Sequence, residues 1–222
     1  MNFEQARFNM IEQQIRTWEV LDQATLDTLA AVKREDFVPP AYRAMAFSDL
    51  EIPLNVAGAT PGEVMFTPKL EARLLQELTV KPTDTILEIG TGSGYMAALL
   101  ASRGQTVQSW ERQAALAAFA RANLSRAGMS SVTVREGDGF AVDHGADTHD
   151  VILLSGAVER LPDFLFKSLK LGGRLIAIVG QAPVMSAVLV TRTGDEQYAQ
   201  VKLFETLTTL LVGGPTVERF RF

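Results

Sequence analysis

Leu87-Glu88-Ile89-Gly90-Thr91-Gly92-Ser93-Gly94-Tyr95 continues the strand-like run Thr85-Ile86-Leu87. Three glycines at alternate positions place a stretch without side-chain bulk at the tip of a strand. The backbone can turn sharply there and come close to a ligand. The pattern is E-x-G-x-G-x-G. It differs from the G-x-G-x-x-G spacing that seats a pyrophosphate on a helix N-terminus.

Glu88 stands two residues before the first glycine. A carboxylate so near bound phosphates is unfavourable, whereas a cofactor with a cationic amino-acid end favours one. S-adenosylmethionine (SAM) has such an end, with an ammonium and a sulfonium. The stretch therefore reads as the cofactor loop of a SAM-dependent methyltransferase, with Glu88, Gly90, Thr91, Gly92 and Gly94 at the cofactor.

The rest of the chain fits that fold. From about residue 84, strand patterns at 84–89, 106–110, 131–135, 150–155 and 173–180 alternate with helix patterns at 93–103, 112–127 and 160–169. The strands are apolar without clean alternation, as in a parallel sheet covered on both faces. Right-handed crossovers then give a doubly wound, mostly parallel α/β sheet of the Rossmann-like kind. Runs near 185–193 and 198–205, separated by Thr193-Gly194-Asp195-Glu196, predict an antiparallel hairpin at its end.

Ahead of the sheet, residues 4–34 carry apolar residues at helical spacing, with Phe8, Ile11, Ile15, Trp18 and Val20 or Leu21 on one face. Asp22 or Thr25 caps the second part, and Val38-Pro39-Pro40 ends it. Residues 41–67 read as a long ordered loop. Residues 68–78 read as a helix opened by Pro68, with Leu70, Leu74, Leu75 and Leu78 facing the core. The expectation is one domain over 1–222. Residues 1–80 are a helical and loop extension forming part of the substrate side, and 81–222 form the cofactor-binding sheet.

Ligands of open parallel sheets bind at the carboxyl ends of the strands. Glu111 ends the second strand, where an acid can accept both ribose hydroxyls; the alternative is a helix-start acid favoured by the dipole. Gly137-Asp138-Gly139-Phe140 follows the third strand. Asp138 can accept an adenine amino group while Phe140 packs on the ring, or the stretch is a plain turn. Trp110 reads as core rather than adenine border. His144 and His149, in a polar stretch, read as solvated.

Composition narrows the setting. The 222 residues are 47% hydrophobic and 21% charged, with a formal net charge of −5 and no cysteine. There is no disulfide framework, thiolate nucleophile or Cys-based metal site, and nothing favours a nucleic-acid partner. No apolar run approaches the roughly 18–20 residues of a membrane helix, and Met1–Gln5 does not open a signal peptide. The expected setting is the cytoplasm.

These motifs together resemble the protein-L-isoaspartate O-methyltransferase family. Residues 87–95 are close to that family's glycine motif, and Trp110-Glu111-Arg112 resembles its acid-Arg at the second strand end. Val32-Lys-Arg-Glu-Asp-Phe-Val-Pro39 with Ala46-Phe47-Ser48-Asp49 resembles its N-terminal signature, and Met10–Arg16 its first helix. The resemblance implies methyl transfer from SAM to the α-carboxylate of an L-isoaspartyl residue in a damaged protein.

One stretch departs from the family. Where the family's substrate loop reads close to G-Q-T-I-S-Q-P, this chain has Gly62-Glu63-Val64-Met65-Phe66-Thr67-Pro68. Val64 and Phe66 replace the loop's two hydroxyls, so Thr67 or Thr60 is the candidate catalytic hydroxyl, and Val64, Met65 and Phe66 the candidate substrate wall. Two alternatives stay open: a methyltransferase of this fold for a less polar acceptor, and a SAM-binding module without transferase activity.

Overall fold

A computed structural model describes residues 2–217. Seven strands form one sheet in the order β5-β4-β3-β6-β7-β8-β9: β3 (Thr85–Ile89), β4 (Thr106–Glu111), β5 (Val132–Glu136), β6 (His149–Val158), β7 (Leu169–Gln181), β8 (Val184–Gly194) and β9 (Gln197–Glu205). Strands β5, β4, β3, β6 and β7 pair in parallel. Strands β8 and β9 pair antiparallel beyond them, as the hairpin pattern predicts. The order reverses at β3, where successive crossovers leave to opposite sides. A crevice opens there at the strand ends.

The central strands are buried because their residues are apolar throughout. Val151, Ile152, Leu153 and Leu154 have no exposed surface, and Leu175, Ile176, Ala177 and Ile178 beside them are equally covered. The helices are α1 (Phe3–Met10), α2 (Gln23–Ala31), α3 (Pro68–Leu78), α4 (Tyr95–Ala101) and α5 (Ala114–Arg126). Asp22 caps α2 by accepting from Thr25 N at 2.8 Å. Helix α3 begins at Pro68, whose missing N–H costs nothing there. Its leucine stripe, Leu70, Leu74, Leu75 and Leu78, is buried. Arg174 of β7 then takes the carbonyls of Leu78 (2.6 Å) and Thr79 (2.9 Å), answering groups that the end of α3 leaves open.

Three expectations are corrected. The N-terminal pattern does not make one continuous amphipathic helix. After α1 the backbone passes through a π-helical turn (Ile11–Ile15) and a 3-10 turn (Arg16–Trp18), and Glu19 takes a left-handed conformation. This re-aims the face, so Met10, Ile11, Ile15 and Val20 are buried while Phe8, Trp18 and Leu21 are exposed. The 41–67 segment contains a 3-10 helix (Pro40–Met45) and a short antiparallel pair, β1 (Ile52–Pro53) with β2 (Val64–Met65). The 160–169 helix is reduced to a 3-10 segment, Asp163–Ser168, started by Pro162.

One apolar core runs from the N-terminal segments into the sheet. Ile15, Leu29, Phe37, Ile52, Leu74, Tyr95, Val151 and Ile176 belong to the same buried cluster. At its centre the fully buried Arg34 pairs with Glu71 and donates to the carbonyls of Phe66 (2.6 Å) and Ala46 (2.9 Å). One guanidinium thus ties α3 to the end of β2. No helix among the described residues is long and apolar enough to cross a membrane.

Candidate active site

Strand β3 ends in the glycine loop. Gly90, Gly92 and Gly94 have φ of 99°, 53° and 84°, the left-handed region where a side chain is strained. The loop is tied to β4 by Gly90 N donating to the Trp110 carbonyl at 2.9 Å. Gly92 N donates to Glu111 Oε2 at 2.9 Å. A Cβ on Gly92 would stand 3.3 Å from Leu54, and one on Gly94 3.2 Å from Leu124 of α5. The second glycine therefore meets the 54–63 loop, and the third lets α5 pack closely.

Above this loop lies a cavity of about 400 Å³, within the range of small-ligand sites. Gly90, Thr91, Gly92, Glu111, Asp138, Gly139 and Phe140 line one side, and Thr60, Val64, Met65 and Phe66 the other. Ser155 from β6 and Trp110 from β4 also reach it. The fold thus brings most of the sequence candidates to one place; Gly94 is not among the lining residues and packs against α5 instead.

Glu111 stands where the two readings of it meet, at the cavity and at a helix start. It lines the cavity, and its Oε1 also accepts from Gln113 N at 3.0 Å, at the start of α5. Burial pushes its carboxyl up, opposed by backbone donors at Gln113 and Gly92. Asp138 Oδ1 accepts from Phe140 N at 2.9 Å, so the third-strand loop is a turn that also faces the cavity. Trp110, read from sequence as core, is on the cavity wall. Cβ atoms on Gly137 and Gly139 would come within 3.3 Å and 3.0 Å of its side chain, so those glycines leave the indole its place.

Three expectations change at this site. Glu88 does not line the cavity. It is fully buried behind the wall, accepting from Ser155 Oγ at 2.7 Å and Ser109 Oγ at 2.6 Å. Burial pushes it up to about 7, against the pull of the two serines. Its link to the cavity runs through Ser155. Thr67 is also outside the cavity. As N-cap of α3 its side chain faces Leu70 N at 3.4 Å and borders a separate cleft near Trp18 and Phe204. The histidines are not solvated. His149 is buried and pushed down to about 4 by desolvation. His144 Nε2 lies 2.7 Å from the Gly139 carbonyl, its ring edge-on to Trp110.

The sequence reading missed the closing segment. After β9, Ala157 N donates to the Thr209 carbonyl at 2.9 Å and Leu211 N to the Ala157 carbonyl at 2.7 Å. These bonds lay residues 209–214 across the strand ends. Leu211 fits where Cβ atoms on Gly90 and Gly156 would stand, 2.9 Å and 2.6 Å away, and Leu211 and Val212 line the cavity. The apolar run 203–212 is strand only to Glu205. The tail Glu218–Phe222 lies outside the described residues.

The donor set fits SAM. Glu63, Glu111 and Asp138 face the cavity against one cation, Arg112, among the described lining residues, while Glu71, also in the lining, is paired with Arg34. That excess of carboxylates suits a ligand carrying a sulfonium and an ammonium. Trp110 and Phe140 supply an apolar slot, and the indole Nε1 is buried with no partner.

The sheet order, the glycine loop at its reversal point and this lining define a class I SAM-dependent methyltransferase. The family profile described as Protein-L-isoaspartate(D-aspartate) O-methyltransferase (PCMT) matches residues 5–214. The chain belongs to that family.

A protein-L-isoaspartate O-methyltransferase of Koribacter versatilis is 35% identical over 207 residues, covering 93% of this chain and 90% of its own length. One from Methylorubrum populi is 37% identical, covering 87% of this chain and 88% of its own. One from Staphylothermus marinus is 34% identical over 95% of this chain and 96% of its own. A solved protein-L-isoaspartate O-methyltransferase has a TM-score of 0.80 at 23% identity, over 96% of this chain and 67% of that one. A Plasmodium falciparum structure titled as a candidate of the same kind, in complex with S-adenosyl-L-homocysteine (SAH), gives 0.75 at 18% identity, over 95% of this chain and 98% of that one. At such identities both structures speak for the fold.

Proposed function

We propose that this chain methylates the α-carboxylate of L-isoaspartyl residues in damaged proteins. Bound SAM supplies the methyl group, made electrophilic by its sulfonium. The observation that carries the reading is the cavity itself, with the glycine loop and Glu111 on one side and the β2 segment of the family's substrate loop on the other. Glu111 and Asp138 are the ribose and adenine acceptors of the proposal, with Trp110 and Phe140 against the ring. Glu88 acts through Ser155 rather than by contact.

No general base is required. A carboxylate acceptor is ionised at neutral pH, so the residues have only to align it and exclude water. Val64, Met65 and Phe66 form an apolar wall for that purpose. Thr60 and Ser155 are the hydroxyl-bearing side chains proposed on the acceptor side. Glu63 does not face an incoming anion unpaired, because its Oε1 accepts from Gln113 Nε2 at 2.8 Å. The proposal places the activity in the cytoplasm, on protein substrates, consistent with a cysteine-free chain of formal net charge −5.

The apolar wall favours one second reading, a less polar acceptor. Transfer of labelled methyl from SAM to an isoaspartyl peptide, with the aspartyl peptide as control, decides between them. Selective labelling of the isoaspartyl form supports repair. SAM binding without peptide labelling sinks that reading and directs the search to apolar acceptors.

A further inference from the structure

Gln113 occupies the N-cap position of α5, yet its side chain makes no capping bond to its own helix. Polar side chains at that position ordinarily answer the first free amides of the helix. Here the carboxamide reaches across the cavity mouth instead. Its Oε1 accepts from Thr60 N at 2.6 Å, and its Nε2 donates to Glu63 Oε1 at 2.8 Å.

Both partners belong to the 54–63 loop, which covers one side of the cofactor cavity with Leu54, Thr60 and Glu63. Its near limb is held independently, by Asn55 Nδ2 donating to the Tyr42 hydroxyl at 2.7 Å and by Val56 and Ala59 packing on the core. Its base is closed by Leu54 N donating to the Glu63 carbonyl at 2.9 Å. Residues 57, 58 and 60–62 are exposed, and Gly58 and Gly62 have φ of 84° and 106°. A single side chain therefore holds the far limb of the loop through an acceptor and a donor at once.

The backbone of the same residue is bound to the cofactor side. Gln113 N donates to Glu111 Oε1 at 3.0 Å, and Glu111 Oε2 accepts from Gly92 N at 2.9 Å. Glycine loop, Glu111, Gln113 and the covering loop thus form one continuous chain of hydrogen bonds.

We propose that Gln113 is a positioning residue that latches the 54–63 loop over the cofactor and transmits the placement of Glu111 to the substrate wall. Because Glu63 runs directly into Val64, Met65 and Phe66, the latch sets both cofactor enclosure and the position of the acceptor wall. This inference rests on the cofactor reading above, and its test separates the two.

The test uses the full chain and two readouts other than turnover. The first is hydrogen exchange of the Thr60 amide in the ligand-free protein; the second is the rate of SAH release. Losing one neutral bond at Thr60 and one charge-assisted bond at Glu63 predicts that Gln113→Ala exchanges at Thr60 and releases SAH about tenfold faster. The melting temperature should stay within about 2 °C, since the loop is exposed.

Gln113→Glu keeps an acceptor for Thr60 but sets a carboxylate against Glu63, so it should also speed release. Adding Glu63→Gln to Gln113→Glu restores a donor–acceptor pair of reversed polarity and should return release to near the wild-type rate. Unchanged Thr60 exchange and SAH release in Gln113→Ala would overturn the latch. So would failure of the double exchange to restore release. If the wild-type chain binds no SAH, the cofactor reading fails, while Thr60 exchange still reports on the bonds themselves.

Discussion

Gly92 gives the sharpest single-residue test of the cofactor reading. Its φ of 53° is unfavourable for a β-branched residue, and its Cβ position already meets Leu54. Gly92→Val is expected to abolish SAM binding by calorimetry; unchanged affinity would remove the loop from the cofactor site. Glu111 offers a graded test beside it. Glu111→Ala should weaken SAM binding by about 1–3 kcal/mol through lost charged hydrogen bonds. A loss of only a few tenths would leave Glu111 as a helix-start acid. Glycines and terminal acids were legible in the sequence because backbone conformation and strand order alone demand them. Ser109, Ser155 and Gln113 were not, because their partners are distant in sequence and only the folded sheet brings them together.

Individual elements divide the two candidate threonines. Thr60 faces the cavity, and Thr67 caps α3. Thr67→Ala should cost about 1 kcal/mol of stability and leave SAM affinity and methyl transfer at saturating substrate intact. A collapse of turnover in a folded Thr67→Ala protein would return that hydroxyl to the reaction. The same element scale explains what the apolar pattern could and could not foretell. The leucine stripe of α3 keeps its helical spacing, β3, β6 and β7 each carry a continuous apolar run, and these elements form as expected. Near Ile11 the backbone departs from the regular α-helix, and apolar spacing does not record such a change. A strict 3.6 period therefore put Phe8 and Trp18 on a face that the real chain turns to solvent.

For the whole molecule, the buried Glu88 links stability to pH. Its carboxyl is pushed from 4.5 to about 7, mainly by desolvation. Between those values the folded chain keeps a proton that the unfolded chain has released. Its stabilising contribution is complete below 4.5 and is lost as pH rises through about 7. Glu88→Gln, which is neutral throughout, should lack this decline. Urea unfolding of both proteins at about pH 5 and about pH 8 should show the wild type losing ground to the variant. Parallel behaviour would mean that Glu88 is ionised in the folded state at both pH values.

The strap across the strand ends adds a constraint in time. A growing polypeptide leaves the ribosome from its N-terminus, so the glycine loop is made long before Leu211. Until residues 209–214 have emerged and bonded to Ala157, the gap between Gly90 and Gly156 has no plug, and one wall of the cavity is missing. Enclosure of the cavity waits on translation of residues 209–214.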